Sequence, residues 1–127
     1  MLSAGDTYLA GDEDTPLHLH VVITTPSAGE VAVVSITTRR TKSETLVTLV
    51  RGDHPFIQHD SVVAYAYAEI SQVSNIENAI QTGKAKLREP VSPALLRRIR
   101  AGLMDSDRTP NQVRDYCKAH HFGDNLA

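Results

Sequence analysis

Two runs of β-branched residues, HLHVVITT at 18–25 and VAVVSITT at 31–38, stand on either side of PSAGE, and this pairing constrains the fold more than any other feature. Valine, isoleucine and threonine favour extended backbone because two heavy atoms on Cβ stiffen χ1. Proline, serine and glycine between the runs supply turn chemistry, so the spacing predicts a hairpin with a short connection. After His20 the first run is almost continuously apolar. That is the pattern of a strand covered on both faces, in a barrel or beneath a helix.

Further strands are expected at 6–9, 45–50 and 61–70, with an acidic loop at 11–15 closed by Pro16. In the run SVVAYAYAEI, Val63, Tyr65 and Tyr67 alternate with Ala64, Ala66 and Ala68, which predicts the large side chains on one face and the alanines on the other. Five short strands with tight connections predict a small antiparallel barrel. The period changes after Ser71. Ser74 or Asn75 can cap a short helix through IENAIQT, stopped by Gly83. Ser92 and Pro93 form a cap and first-turn pair ahead of Leu95, Leu96, Ile99 and Leu103, which share one helical face. Thr109 and Pro110 repeat the signal ahead of Val113, Tyr116, Cys117 and His120, with Gly123 as the stop. The expected fold class is therefore α+β, mainly β in its N-terminal part, a small antiparallel barrel followed by a C-terminal helical hairpin. One domain is expected over 1–127, with the barrel in 1–71 and the helices in 74–122, since 127 residues bury one core and not two.

Composition narrows the function classes. With 41% hydrophobic and 22% charged residues the chain is neither disordered nor fibrous. No apolar run approaches the roughly 18 residues of a membrane span, and the N-terminus lacks the basic start and apolar stretch of a signal peptide, so the expected location is the cytoplasm with no membrane partner. The single cysteine, Cys117, reads as a buried structural thiol. Charge is uneven: residues 1–83 carry ten acids against four bases, and residues 84–118 nine bases against four acids. Such a basic segment attracts RNA, DNA or an acidic protein patch, or it is a solvated face that balances the acidic half.

Candidate chemistry lies in three places. His18 and His20, two apart on a strand, project from the same face and can share a phosphate or a metal. No HExxH motif, cysteine pair or carboxylate-rich helix accompanies them, so no metal and no cofactor is expected. The segment GDHPFIQHDS crowds two histidines and two aspartates between strands, as functional loops do. His54 is a candidate general base there. The competing reading is a structured turn in which Asp53 and Asp60 cap backbone amides while Phe56 and Ile57 plug the core. Thr37, Thr38, Arg39 and Arg40 end a strand with hydroxyls and guanidinium groups suited to phosphate. Arg97, Arg98 and Arg100, with Lys84, Lys86 and Arg88, can track a phosphate backbone. Aromatic residues are scarce, so sequence-specific base readout is not expected.

The stretches AGDTYLAG, VVITTPSAGEVAVVSITT and DSVVAYAYAEIS together resemble the PemK/MazF family of bacterial toxins over residues 4–71. The resemblance implies an SH3-like barrel, a component of a toxin-antitoxin or mobile-element system, and a metal-independent endoribonuclease that uses the RNA's own 2′-hydroxyl as nucleophile. Thr37 or Thr38 matches the family's catalytic threonine or serine. The family's arginine usually sits in a GRP or HRP sequence before the second strand, where this chain has TPLHLH. Thr38 and Arg39 are then assigned to phosphate contact and transition-state stabilisation, His18, His20 or His54 to proton transfer, and Arg40, Arg97, Arg98 and Arg100 to nucleic-acid contact. RNA, a cognate antitoxin and a second copy of the chain are the candidate partners. A different class stays open beside this one, a non-catalytic SH3-like adaptor that binds protein through the barrel and the leucine face at 95–103.

Overall fold

A computed structural model describes residues 2–11 and 17–120; the expected acidic loop at 11–15 past Gly11, its closing Pro16 and the stop at Gly123 lie outside the described residues. The elements are β1 (Thr7–Ala10), β2 (His18–Val22), β3 (Glu30–Thr38), β4 (Thr48–Leu49), β5 (Ser61–Gln72), α1 (Val73–Gln81), β6 (Ala85–Arg88), α2 (Pro93–Asp105) and α3 (Asn111–Ala119). The strands form one antiparallel sheet in the order β4-β5-β3-β2-β1-β6. It is curled into a half-barrel and carries three helices, an α+β fold. Among the described residues no helix is long and apolar enough to cross a membrane.

The hairpin of β2 and β3 forms as its sequence dictates. Ser27 and Glu30 exchange backbone hydrogen bonds of 3.0 and 2.9 Å around Ala28 and Gly29, whose φ values of 50° and 76° are those of a two-residue turn matched to strand twist. Both faces are covered at the hairpin end of these strands, which explains the continuous apolar character there. Leu19, Val21, Val34 and Ile36 pack beneath α2 and α3, while Val22, Val31 and Val33 pack with Tyr8 and Ile76 of α1.

The sheet departs from expectation at three points. Its sixth strand, β6, comes from the segment read as helical, with Thr7 opposite Arg88 and Ala10 opposite Ala85. The sequence AKLR is only four residues long, too short for its alternation to stand out, and its cations suit an edge strand that must not recruit another chain. The expected strand at 45–50 is paired only over Thr48–Leu49. In β5 the alternation of large and small residues breaks: Glu69 faces Val33 but Ala64 faces Ser35, so residues 65–68 of β5 bulge opposite Val34 alone. A bulge re-aims side chains. Tyr65 and Ala68 turn into the core, whereas Ala66 and Tyr67 turn outward, so Tyr67 does not share a face with Val63 and Tyr65 as its spacing predicts.

The helices start close to their sequence signals. Ser92 Oγ accepts from the Leu95 N–H at 3.1 Å, ahead of Pro93 in the first turn of α2. Leu95, Ile99 and Leu103 are buried against the sheet, which takes the leucine face away from the adaptor reading. Thr109 is no cap: its hydroxyl donates to the Leu103 carbonyl at 2.8 Å, and α3 begins after Pro110. Cys117 on α3 is buried, and burial pushes its thiol up to about 11.

Gly102 sets how closely α2 approaches β5. A Cβ there would stand 2.5 Å from Val47 Cγ2 and 2.8 Å from Tyr65 Cζ, and the Tyr65 hydroxyl donates to the Ile99 carbonyl at 2.7 Å. Gly102→Ala is expected to destabilise the protein by about 1 to 3 kcal/mol through overpacking, against the roughly 1 kcal/mol that alanine adds in helix propensity. Tyr65→Phe keeps the packing and should cost about 1 kcal/mol for the lost hydrogen bond. Urea denaturation of the two variants checks both figures; a Gly102→Ala protein more stable than wild type would show that the helix has room to move away.

Candidate nucleic-acid cleft

One face of the sheet is closed by α2 and α3, and the other is closed by α1 over only part of its area. The uncovered part is polar. On β2, His18 and His20 alternate with the buried Leu19, and in register beside them β3 presents Ser35, which pairs with His20, and Thr37, which pairs with Val62 of β5. Two residues of spacing place side chains on one face, so these groups line one surface.

The loop between β4 and β5 folds against the end of this surface. Asp53 Oδ2 accepts the Val50 N–H at 2.8 Å, the turn role allowed for by its sequence, and Ile57 is buried in the core. His54 is 2% exposed. Its Nδ1 accepts the Phe56 N–H at 3.0 Å, which leaves the proton on Nε2 to donate to the Glu89 carbonyl at 2.5 Å. The Thr7 hydroxyl donates to the same carbonyl at 2.7 Å. His54 thus ties the loop to the segment after β6. Downstream, the Arg39 N–H donates to the Asp60 carbonyl at 2.9 Å and the Ser61 hydroxyl to the His59 carbonyl at 2.8 Å. These bonds hold Gln58 and His59 beside the end of β3.

The result is a cleft of about 330 Å³ whose polar lining includes His18, Thr38, Arg40, Gln58, His59 and Ser61. Of the residues expected on sequence grounds, His18, Thr38 and Arg40 meet there. His20 lies in an adjoining hollow of about 610 Å³ that also includes His18. Arg39 is exposed at the strand end, and His54 sits in the core as described. Arg97, Arg98 and Arg100 belong to α2, which covers the opposite face. Arg98 donates to the Thr48 carbonyl at 2.7 Å and Arg100 Nε to the Ile23 carbonyl at 2.9 Å, so these two guanidinium groups clasp the sheet instead of standing free along the helix. Sequence reasoning passed over His59 and Gln58 as site residues. The crowded loop marked the region, but only the fold shows that His54 turns in and His59 turns to the cleft.

The chemistry on offer is a guanidinium for phosphate charge, a hydroxyl, and two imidazoles for proton movement. Among the described residues no group of three or more His, Cys, Asp or Glu side chains is placed to hold a metal ion.

No family model matches the chain, and no curated protein matches it in sequence. A solved structure described as an endoribonuclease in complex with its cognate antitoxin from Mycobacterial species is similar in fold, with a TM-score of 0.54 at 17% sequence identity, over 87% of this chain and 98% of that one. The likeness therefore extends past residues 4–71 into the C-terminal part.

His20 gives the site a measurable pH signature. Its ring stacks on Tyr8, with centroids 5.0 Å apart and planes 8° from parallel. Burial, the largest influence, holds its pKa below the ordinary 6.5, and the neighbouring His18 acts in the same direction; a backbone hydrogen bond at Ala10 and the Glu69 carboxylate act against it. A base with a depressed folded pKa contributes stability that is fully present above its unfolded value, near pH 6.5, and lost as pH falls through the folded one. Replacing it with an uncharged ring, His20→Phe, is expected to flatten the decline in melting temperature between pH 7 and pH 5. Parallel profiles for the two proteins would show that His20 does not carry this dependence.

Proposed function

We propose that this chain is an RNA-cleaving toxin of a toxin-antitoxin pair, a PemK/MazF-like protein with an SH3-like barrel that acts on RNA in the cytoplasm and is held in check by a cognate antitoxin. The observation that carries the reading is the meeting of His18, Thr38, Arg40 and His59 in one cleft, on a fold similar to that of an endoribonuclease solved with its antitoxin.

In this reading one imidazole, His18 or His59, takes the proton from the 2′-hydroxyl as its oxygen attacks the adjacent phosphorus. The other, protonated, delivers a proton to the departing 5′-oxygen. The products are a 2′,3′-cyclic phosphate and a 5′-hydroxyl, and no metal enters. Arg40 and the Thr38 hydroxyl hold the non-bridging oxygens, where a fixed cation stabilises the pentavalent state more than the ground state. Arg39, exposed at the same strand end, adds charge along the approach. The arginine of the family pattern cannot take up a proton at neutral pH, so histidines in its place divide the work differently, with proton transfer on the rings and charge on Arg40. His20 supports His18 from the adjoining hollow. His54, fully used in hydrogen bonds to the backbone, is kept outside the chemistry.

Purified protein incubated with total RNA and a chelator is expected to give discrete fragments. His18→Ala and His59→Ala should each slow cleavage by about 10²-fold, the lower scale for a lost general acid or base. His54→Ala should instead lower stability by about 1 to 3 kcal/mol, because it strands buried backbone groups. Full cleavage by both the His18 and the His59 variants would remove this mechanism, and loss of activity on adding chelator would point to a metal enzyme.

A further inference from the structure

Tyr67 is 77% exposed, and the bulge in β5 alone turns it away from the core. It contributes little to folding, yet it stands at the junction of the open face. One hollow beside it, about 250 Å³, is bordered by Arg40, Lys42 and Arg108. The larger hollow on its other side, about 610 Å³, is bordered by His18, His20 and Ser35. Thr37 lines both of these and the reaction cleft as well, so the three form one continuous trough. Among the described residues lining its cationic end the acid is Glu44, with Oε2 already accepting from the Ser106 hydroxyl at 2.6 Å. Ala64 borders both hollows with the tyrosine and Ala66 one of them, and their small side chains leave the surface beside its ring uncrowded.

Trough, cations and exposed ring together match a flexible single strand. Single-stranded nucleic acid is held by a cationic track along its phosphates and an aromatic side chain on which a base stacks. A duplex cannot supply an unstacked base to such a ring. We propose that Tyr67 is the stacking platform for one base of single-stranded RNA, with Arg40 and Lys42 on its phosphates, so that the neighbouring phosphate enters the cleft of His18, Thr38 and His59. This rests on the RNA-cleaving reading for its substrate but not for its test. Stacking is tolerant of base identity, and the Ser35 and Thr37 hydroxyls at the wall of the trough are the groups that would add preference through the base edge.

Binding is measured separately from cleavage with a labelled DNA octanucleotide of mixed sequence, which lacks the 2′-hydroxyl and cannot be cut by this route. Fluorescence anisotropy is expected to show Tyr67→Ala weakening the affinity about tenfold or more, the scale of one lost base stack, with Tyr67→Phe within about threefold of wild type. The slope of affinity against salt should be unchanged in Tyr67→Ala and shallower in Lys42→Gln, since only the latter removes a phosphate contact. Because Tyr67 is exposed, the melting temperature of the alanine variant should match wild type. Octanucleotide binding without RNA cleavage would leave the platform standing and remove the nuclease. RNA cleavage with kcat and KM unchanged in Tyr67→Ala would remove the platform and leave the nuclease. Failure of the wild-type protein to bind the octanucleotide overturns the proposal, as does a Tyr67→Ala variant altered only in self-association, which would mark the face as a contact between copies.

Discussion

The close approach of α2 to β5 is the constraint on which the rest of the structure depends. A helix packed on a sheet at ordinary distance would leave Tyr65 either strained or unpaired, since a buried phenol needs an acceptor. Gly102 supplies the space, and the Ile99 carbonyl one turn earlier supplies the acceptor. The same contact brings Leu95, Ile99 and Leu103 onto the sheet and draws Arg98 and Arg100 within reach of carbonyls in the strand region. Burial raises the Tyr65 pKa from its ordinary 10.0, so the hydroxyl stays a donor throughout the physiological range.

One irregularity joins this anchor to the open face. Had β5 run without a bulge, Tyr65 and Tyr67 would share the face beneath α2, where Tyr65 packs against Gly102. The extra residues opposite Val34 separate the two rings and turn Tyr67 outward, onto the same face as His18 and His20. The core and the trough thus arise from a single register shift, and bulges at the margin of a functional surface commonly have this use. On that face α1 covers Val22, Val31 and Val33 and stops. Beyond it the strands change from valine to serine, threonine and histidine, as a surface left open to water requires.

Much of this was legible in the sequence because it is local. The β2–β3 hairpin, the helix starting at Ser92 and the buried stripe of α2 follow from residue spacing and capping chemistry, which act within a few positions. Strand β6 was hidden because it is only four residues long and, bearing Lys86 and Arg88, lacks the β-branched and aromatic composition of a strand. The bulge left no mark, since an alternating run reads the same whether or not its partner strand keeps register. Within the site, His18, Thr38 and Arg40 were legible as polar residues on strands or at their ends, where period two settles the face. His54 and His59 share one loop, and spacing could not say which ring enters the core. The answer lay in long-range partners, the Glu89 carbonyl and Thr7, that no local pattern contains.

The placement of these two histidines bears on how the cleft can work. The His54 ring has both nitrogens committed to the backbone, Nδ1 to the Phe56 N–H and Nε2 to the Glu89 carbonyl. It is suited to holding a loop. His59 is exposed and lines the cleft. The loop therefore uses one histidine to make itself rigid and so to position the other. Rigidity in the supporting element is what keeps a reacting group within the narrow geometry that proton transfer demands. A stretch of loop that looked redundant in residue type divides, in the folded chain, into a fastener and a side chain that faces the cleft.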